Sequence, residues 1–306
     1  MYSTGSACAG TGTSGVPAVA GASAPDLAWR DFFADASLRQ LIDAALANNR
    51  DLRVAVLNIE QARAQLGLKR ADQWPTINAV ASGSRTPTSS GGIASSYSAG
   101  LAVTAYEIDF FGRVASLKEQ ALAQLLASTE GSRTVQISLI ASVAQSWLAL
   151  LADEELLAIS RQTLDTREGS YKLVKLRFDH GAASELDLHQ AQSLRETARV
   201  TLAQQQRQRA LDENALALLL GQPVPAEVRE RLAAQRLTQL RLPELPAGLP
   251  SDLLTRRPDI RQAEQLLLAA NANIGAARAA FFPRIALTAG VGSASNQLSC
   301  LFKDGA

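Results

Sequence analysis

Residues 51–81 read DLRVAVLNIEQARAQLGLKRADQWPTINAVA, and residues 259–289 read DIRQAEQLLLAANANIGAARAAFFPRIALTA. Laid over one another at an offset of 208, the two stretches share Asp51/Asp259, Arg53/Arg261, Ala55/Ala263, Ala62/Ala270, Ala64/Ala272, Gly67/Gly275, Arg70/Arg278, Ala71/Ala279, Pro75/Pro283, Ile77/Ile285 and Ala81/Ala289. So many identities at one register mark an internal duplication. Within the first stretch Leu52, Ala55, Ile59, Ala62 and Leu66 are spaced 3,4,3,4, a helical seam built with small residues. Pro75 ends that seam, and an alternating, strand-like run follows it.

The duplication divides the chain. An N-terminal extended segment, 1–36, precedes a first repeat over 37–221, with Ser37 as the expected N-cap of its first helix and a pause at Asn48 and Asn49. A Pro-rich connector spans 222–251. A second repeat over 252–306 holds a helix at 252–281 and a strand at 283–292. The first copy goes on through a strand pair and a helical hairpin, whereas the second reaches Ala306 just past its first strand. By the first copy's length, about 130 to 150 residues of the second are expected to be missing.

Composition agrees with a mainly helical protein. Among 306 residues there are 55 alanines and 45 leucines, and aromatic residues make up only 5%. A net charge of +1 argues against a nucleic-acid partner, because that association is carried by excess Lys and Arg. Two cysteines, Cys8 and Cys300, are too few for a disulfide framework or a zinc site. The residues ahead of Ala24 lack the charged start and apolar run of a secretory leader.

No proline occurs between Pro87 and Pro223, which permits a very long helical zone. Val143, Leu150, Leu157, Leu164, Tyr171 and Phe178 recur every seven residues there. From Arg113 to Phe178 such a helix would be about 100 Å long, more than a compact core needs. Gly181 then predicts a turn, Ser184 an N-cap, and a second helix returns to Leu220, closing a coiled-coil hairpin over 113–220. Residues 134–152 are uncharged and about as long as a bilayer span. Thr134, Ser138, Ser142 and Gln145 form a polar stripe on it, so a packed amphipathic helix is expected instead.

Strands are expected at 76–84 and 96–107, joined by a Gly/Ser/Pro loop. In the second, Tyr97, Ala99, Leu101, Val103 and Ala105 alternate with small or polar residues. That pattern fits either a half-buried hairpin of a soluble protein or a membrane barrel strand with one lipid-facing side. Two strands per copy are too few to close a barrel, and an open edge in lipid leaves backbone groups unsatisfied. A membrane location would therefore require several subunits to share one barrel.

The segments Leu249-Pro250-Ser251-Asp252-Leu253-Leu254, Arg256-Arg257-Pro258-Asp259-Ile260, and Ile274-Gly275-Ala276-Ala277-Arg278-Ala279-Ala280-Phe281-Phe282-Pro283 resemble the outer membrane factor (TolC-like) family. Trp29-Arg30-Asp31-Phe32-Phe33, Asn48 to Ala55, and Tyr106 to Arg113 extend the likeness toward its OprM-like, NodT-type efflux lipoproteins. The resemblance implies a mainly α fold with a transmembrane β portion: a homotrimer whose strands share one β-barrel in the outer membrane, above an α-barrel tunnel in the periplasm. It further implies a channel for small molecules and antibiotics, working with a periplasmic adaptor and an inner-membrane RND transporter. On that likeness Arg177, Asp179, Gly181, Ala183 and Ser184 stand at the adaptor-docking tip, Tyr97, Leu101 and Val103 face lipid, and Cys8 is a candidate lipidation site. The second tip, with the gating residues, would lie in the missing part.

No catalytic, cofactor-binding or metal-binding residue is expected. His180 and His189 are the only histidines, and neither stands at a recognisable interval from a nucleophile or ligand set. A soluble coiled-coil scaffold, a periplasmic adaptor, or an inactive remnant of the channel are the competing readings. The strand pair and the duplication weigh against the first two.

Overall fold

The computed structural model describes residues 28–89, 91–237 and 252–303. The elements run α1 (Trp29–Phe32), α2 (Ala36–Asn48), α3 (Arg50–Ala71), β1 (Ile77–Pro87), β2 (Ile93–Ile108), α4 (Arg113–Asp179), α5 (Glu185–Leu220), α6 (Ala226–Ala234), α7 (Asp252–Arg256), α8 (Pro258–Ala279) and β3 (Ile285–Ser295), then a 3-10 turn at Leu298–Cys300. The chain forms two units, one of residues 1–53 and 135–256, the other of 54–134 and 257–306.

The first unit is helical. Leu38, Leu41, Ile42 and Ala45 on α2 pack with Val143, Trp147, Leu150 and Leu151 on α4, with Leu216 and Leu220 on α5, and with Val228 and Leu232 on α6. α4 is long and apolar enough to cross a bilayer by length and composition alone. Its uncharged stretch instead supplies one wall of this core, as the polar stripe required. The heptad column holds in part. Val143, Leu150 and Leu157 are buried, Leu164 and Tyr171 are half-covered, and Phe178 is exposed.

Several expected boundaries move. Residues 29–32 form a helical turn rather than extended chain, and Asp35 caps α2 in place of Ser37. Its Oδ1 accepts from the Ser37 N–H at 2.9 Å, and Ser37 is buried two residues further in. A carboxylate at this position also accepts from two distant donors, which a serine hydroxyl could not do with the same charge. The pause at Asn48 and Asn49 is real. Asn49 is buried, its Oδ1 accepts from the Leu52 N–H at 2.9 Å, and its Nδ2 donates to the Leu219 carbonyl at 2.8 Å, tying the start of α3 to the end of α5. The connector 222–251 contains the helix α6, whose Val228 and Leu232 complete the core; its residues 238–251 lie outside the described residues. The single helix expected over 252–281 is two, because Pro258 forces Arg257 into extended backbone (φ −66°, ψ 125°).

The second unit carries an antiparallel sheet of order β1-β2-β3. All three strands exceed or outrun their expected limits. β1 reaches Pro87 and β2 starts at Ile93, so most of the stretch read as a loop joins the ladder. Gly, Ser and Pro have low strand propensity, but pairing partners override it. Between the strands the Thr88 N–H donates to the Gly92 carbonyl at 2.8 Å. β3 occupies Ile285–Ser295 rather than 283–292. Gly100 lies opposite Gly292, and a Cβ built on Gly100 would stand 2.5 Å from the Val291 carbonyl oxygen, so the strands approach where neither has a side chain.

One irregularity changes which residues share a face. Between Val103 and Tyr106 the β2–β3 register shifts, with Val103 opposite Ala289 and Tyr106 opposite Leu287. Three steps on β2 match two on β3, a β-bulge, and alternation slips by one. Ala105 therefore leaves the apolar face and Tyr106 takes its place.

Candidate functional site

Two places in the fold gather the residues singled out by sequence. The first is the turn of the α4–α5 hairpin. Gly181 sits in the left-handed region at φ 73°, its N–H donates to the Phe178 carbonyl at 2.9 Å, and the Ala182 N–H donates to the Arg177 carbonyl at 2.7 Å. This paired closure is the Schellman ending of a helix, which glycine enters without a Cβ penalty. Ser184 opens α5 through a reciprocal cap. The Asp187 N–H donates to Ser184 Oγ at 3.1 Å, while Asp187 Oδ2 accepts from the Ser184 N–H at 3.1 Å and from its hydroxyl at 2.6 Å. These bonds from Ser184 hold the Asp187 carboxyl below the usual carboxylate range.

Beneath the turn an open groove of about 430 Å³ is lined by Arg167, Val174, Arg177, Ala183, Asp187 and Leu194, among others. Of the expected tip residues, Arg177 and Ala183 line this groove. Gly181 and Ser184 shape the backbone around it, and Asp179 ends α4 at the solvent. Arg167, Val174, Asp187 and Leu194 were not anticipated. Their spacing was available, since 167, 174 and 177, and 187 and 194, each fall along one helical face, but nothing in a single helix says which faces converge. Further along the hairpin, Arg195 stacks over the Tyr171 ring at 4.0 Å and Arg199 pairs with Glu168 at 3.1 Å, holding the two helices together.

The second place is the sheet. One face collects Ile77, Ala79 and Ala81 from β1, Tyr97, Ala99, Leu101, Val103 and Tyr106 from β2, and Ile285, Leu287, Ala289 and Val291 from β3. None of these is charged, the charged Arg85 following on this face only toward the hairpin turn; Ile77, Leu101, Ile285, Leu287 and Val291 are open, Leu101 being 51% exposed and Val291 75%, while Tyr97, Val103 and Tyr106 are half-buried. The opposite face holds Asn78, Val80, Ser82, Ser98, Gly100, Gly290 and Gly292, with Glu107 past the bulge, and the Ser82 and Ser98 hydroxyls are bonded at 2.7 Å. The expected residues Tyr97, Leu101 and Val103 thus share the apolar face. At the helical end of the strands stand Trp74, Phe110, Phe111, Phe281 and Phe282, all exposed, with Phe111 and Phe282 stacked at 4.4 Å. Cys8 lies outside the described residues. Cys300 is an exposed free thiol.

Comparison with known proteins bears directly on this pairing of hairpin and sheet. The probable efflux pump outer membrane protein TtgC of Pseudomonas putida is 50% identical over 289 residues, covering 92% of this chain and 59% of that protein. Outer membrane protein OprJ of Pseudomonas aeruginosa is 47% identical, covering 93% and 60%. The chain therefore spans about three-fifths of the length of the curated relatives it matches. Among solved structures, the open state of the MtrE outer membrane channel of Neisseria gonorrhoeae aligns with a TM-score of 0.81 at 43% identity, over 94% of this chain and 65% of that one. The sequence model described as "Outer membrane efflux protein" matches residues 41–222 and 249–306, which take in the duplicated helices, the sheet and the hairpin alike. The chain belongs to the outer membrane efflux protein family, a family of efflux channels rather than enzymes.

Proposed function

We propose that this chain is a subunit of the outer-membrane channel of a tripartite, RND-type efflux pump, passing small apolar molecules and antibiotics outward through a homotrimer that reaches into the periplasm. The observation that carries this reading is the sheet. Its apolar face is free of charge from Ile77 to Gly83 and along the facing stretches of β2 and β3, with Arg85 only toward the hairpin turn, while its other face is mostly small and polar, the division a barrel wall makes between lipid and lumen. Three strands cannot close a barrel, which supports sharing among subunits. The exposed aromatic residues at the helical end of the strands fit the belt at a membrane interface. Names of two Pseudomonas putida relatives, an antibiotic efflux pump protein and a toluene efflux pump protein, support the substrate class.

Charge placed on the lipid face tests the reading. Leu101→Arg is expected to cost roughly 2–4 kcal/mol near the bilayer midplane and to abolish trimers recovered from the membrane fraction. Ser98→Arg, on the opposite face, is expected to leave trimer yield within a factor of about two, because a lumen position keeps its charge in water. Equal yields from both variants would count against the barrel.

The groove under the α4–α5 turn is the surface we assign to the periplasmic adaptor, with Arg177 and Ala183 in contact and Gly181 and Ser184 holding the turn. Ala183→Trp fills the groove and leaves both helix caps intact. In cells that lack their own outer-membrane channel and carry the adaptor and transporter of the toluene pump, this variant is expected to form trimers yet lose toluene tolerance and adaptor cross-linking. Unchanged cross-linking would remove the tip from the docking surface.

A further inference from the structure

We infer that the groove where α3 ends and α4 begins is a binding site for the phosphodiester headgroup of an anionic phospholipid in the periplasmic leaflet of the outer membrane. This rests on the reading of the sheet as membrane-inserted. The groove is open, about 370 Å³, and lined by Leu66, Arg70, Gln73, Trp74, Lys118 and Leu122. Arg70 and Trp74 stand in the last turn of α3 and just past it, ahead of β1, and Lys118 in the second turn of α4 after β2, where strands give way to helices.

The charges are what single it out. Two neighbouring cations are otherwise engaged: Lys69 pairs with Asp72 at 3.3 Å, and Arg113 with Glu107 at 2.5 Å. Arg70 and Lys118 have no side-chain hydrogen bond or ion pair among the described residues, and no carboxylate lines the groove. Two unpaired cations against an apolar floor of Leu66 and Leu122 match a phosphate above acyl chain. Trp74, 75% exposed at the rim, adds an indole whose amphipathic ring suits the same depth. The duplication repeats the device. Arg278, in the last turn of α8, stands four residues before the exposed Phe282, as Arg70 stands four before Trp74, and both pairs precede a strand. Arg70 also sits in the last turn of α3, where any cation is favoured by the helix dipole; lipid retention is a readout that this helical role does not move.

The test uses the full chain extracted in mild detergent, exchanged with phosphatidylglycerol and examined by native mass spectrometry, alongside flotation on phosphatidylethanolamine vesicles containing phosphatidylglycerol. Each basic side chain near an anionic lipid surface is worth about fivefold in affinity. The Arg70→Gln, Lys118→Gln double variant is therefore expected to hold phosphatidylglycerol roughly tenfold or more weakly than the parent, while floating equally well. The Arg70→Lys, Lys118→Arg double variant should retain it. Equal retention by the Gln variant, or an anion effect reproduced by inorganic phosphate with no lipid retained, overturns the lipid site and leaves the barrel standing. Failure of the parent chain itself to float overturns the membrane reading beneath both.

Discussion

Trp147→Ala is expected to destabilise the helical unit by about 3–5 kcal/mol, the range for removing a fully buried aromatic side chain. The indole has no exposed surface and stands in the middle of the core of α2, α4, α5 and α6. Its Nε1 also donates to Asp35 Oδ2 at 2.9 Å, the same oxygen that accepts from Gln235 Nε2 at 3.1 Å, while Asp35 Oδ1 caps α2. One carboxylate thus joins the cap of α2, the middle of α4 and the end of α6. Trp147→Phe separates the two contributions. It keeps much of the apolar volume but withdraws a donor from a charged acceptor, so a cost of about 1.5–3 kcal/mol is expected. Denaturant midpoints of the full chain decide the matter. A midpoint for the Ala variant within experimental scatter of the parent would refute the central role given to Trp147.

Asp153→Asn is expected to act in the opposite direction and to do so only above acid pH. Asp153 is 6% exposed on α4, and its Oδ2 has no hydrogen-bond partner among the described residues. Burial, then the hydrogen bond and negative charge of Asp212, with Glu154 adding to them and Arg209 opposing, push its carboxyl up to about 6 from the usual 3.8. Arg209 is itself shared with Glu154 and Glu213, and Glu213 with Arg229, so little positive charge is left for the aspartates. Because the folded-state value lies above the unfolded one, the folded chain holds the proton more tightly. Stability therefore falls as pH rises from about 4 to about 6, and the full cost applies above that window. That cost is on the order of a few kcal/mol. The Asn variant should gain up to roughly that amount near neutral pH and nothing near pH 3.5, flattening the profile. Asp212→Asn should relieve part of the same cost, since it removes the negative charge that faces the Asp153 carboxyl. Unfolding midpoints taken across that pH range would show it, and a parent profile already flat would defeat the argument.

Neither of these sites was legible in the chain alone. Asp35 and Trp147 are 112 positions apart, and nothing near either one in sequence points to the other. Asp153 sits among Glu154 and Glu155 in a helix, where a solvated acidic face is the ordinary expectation; its burial depends on which side of α4 meets α5. The tip was better marked. Gly181 and Ser184 announce a helix stop and start because each acts on its own backbone within a few residues. Arg177 was placed by resemblance, and the groove it lines needed both helices in position.

The sheet divides in the same way. Alternation in 97–103 marked one apolar face correctly, since side chains on a regular strand point to opposite sides in turn. It failed at Ala105 because the bulge depends on β3, some 180 residues further along the chain. The ends of β1 and β2 were misplaced for a related reason: Ser, Gly and Pro are poor strand formers alone, and the ladder that recruits them is not local.

By itself, the sequence determined the helical character, the long proline-free hairpin and its turn, the two amphipathic strands, and the duplication that repeats helix and strand. Each is written in periodicity or in capping residues that act over one or two turns. Only the tertiary structure decided that Asp35 rather than Ser37 caps α2, that Asp153 is buried beside a second carboxyl, that Tyr106 replaces Ala105 on the apolar face, and that Arg70 and Lys118 meet in one groove. Those outcomes depend on pairings between residues tens to hundreds of positions apart, and a local pattern can show that a face exists without showing what comes to cover it.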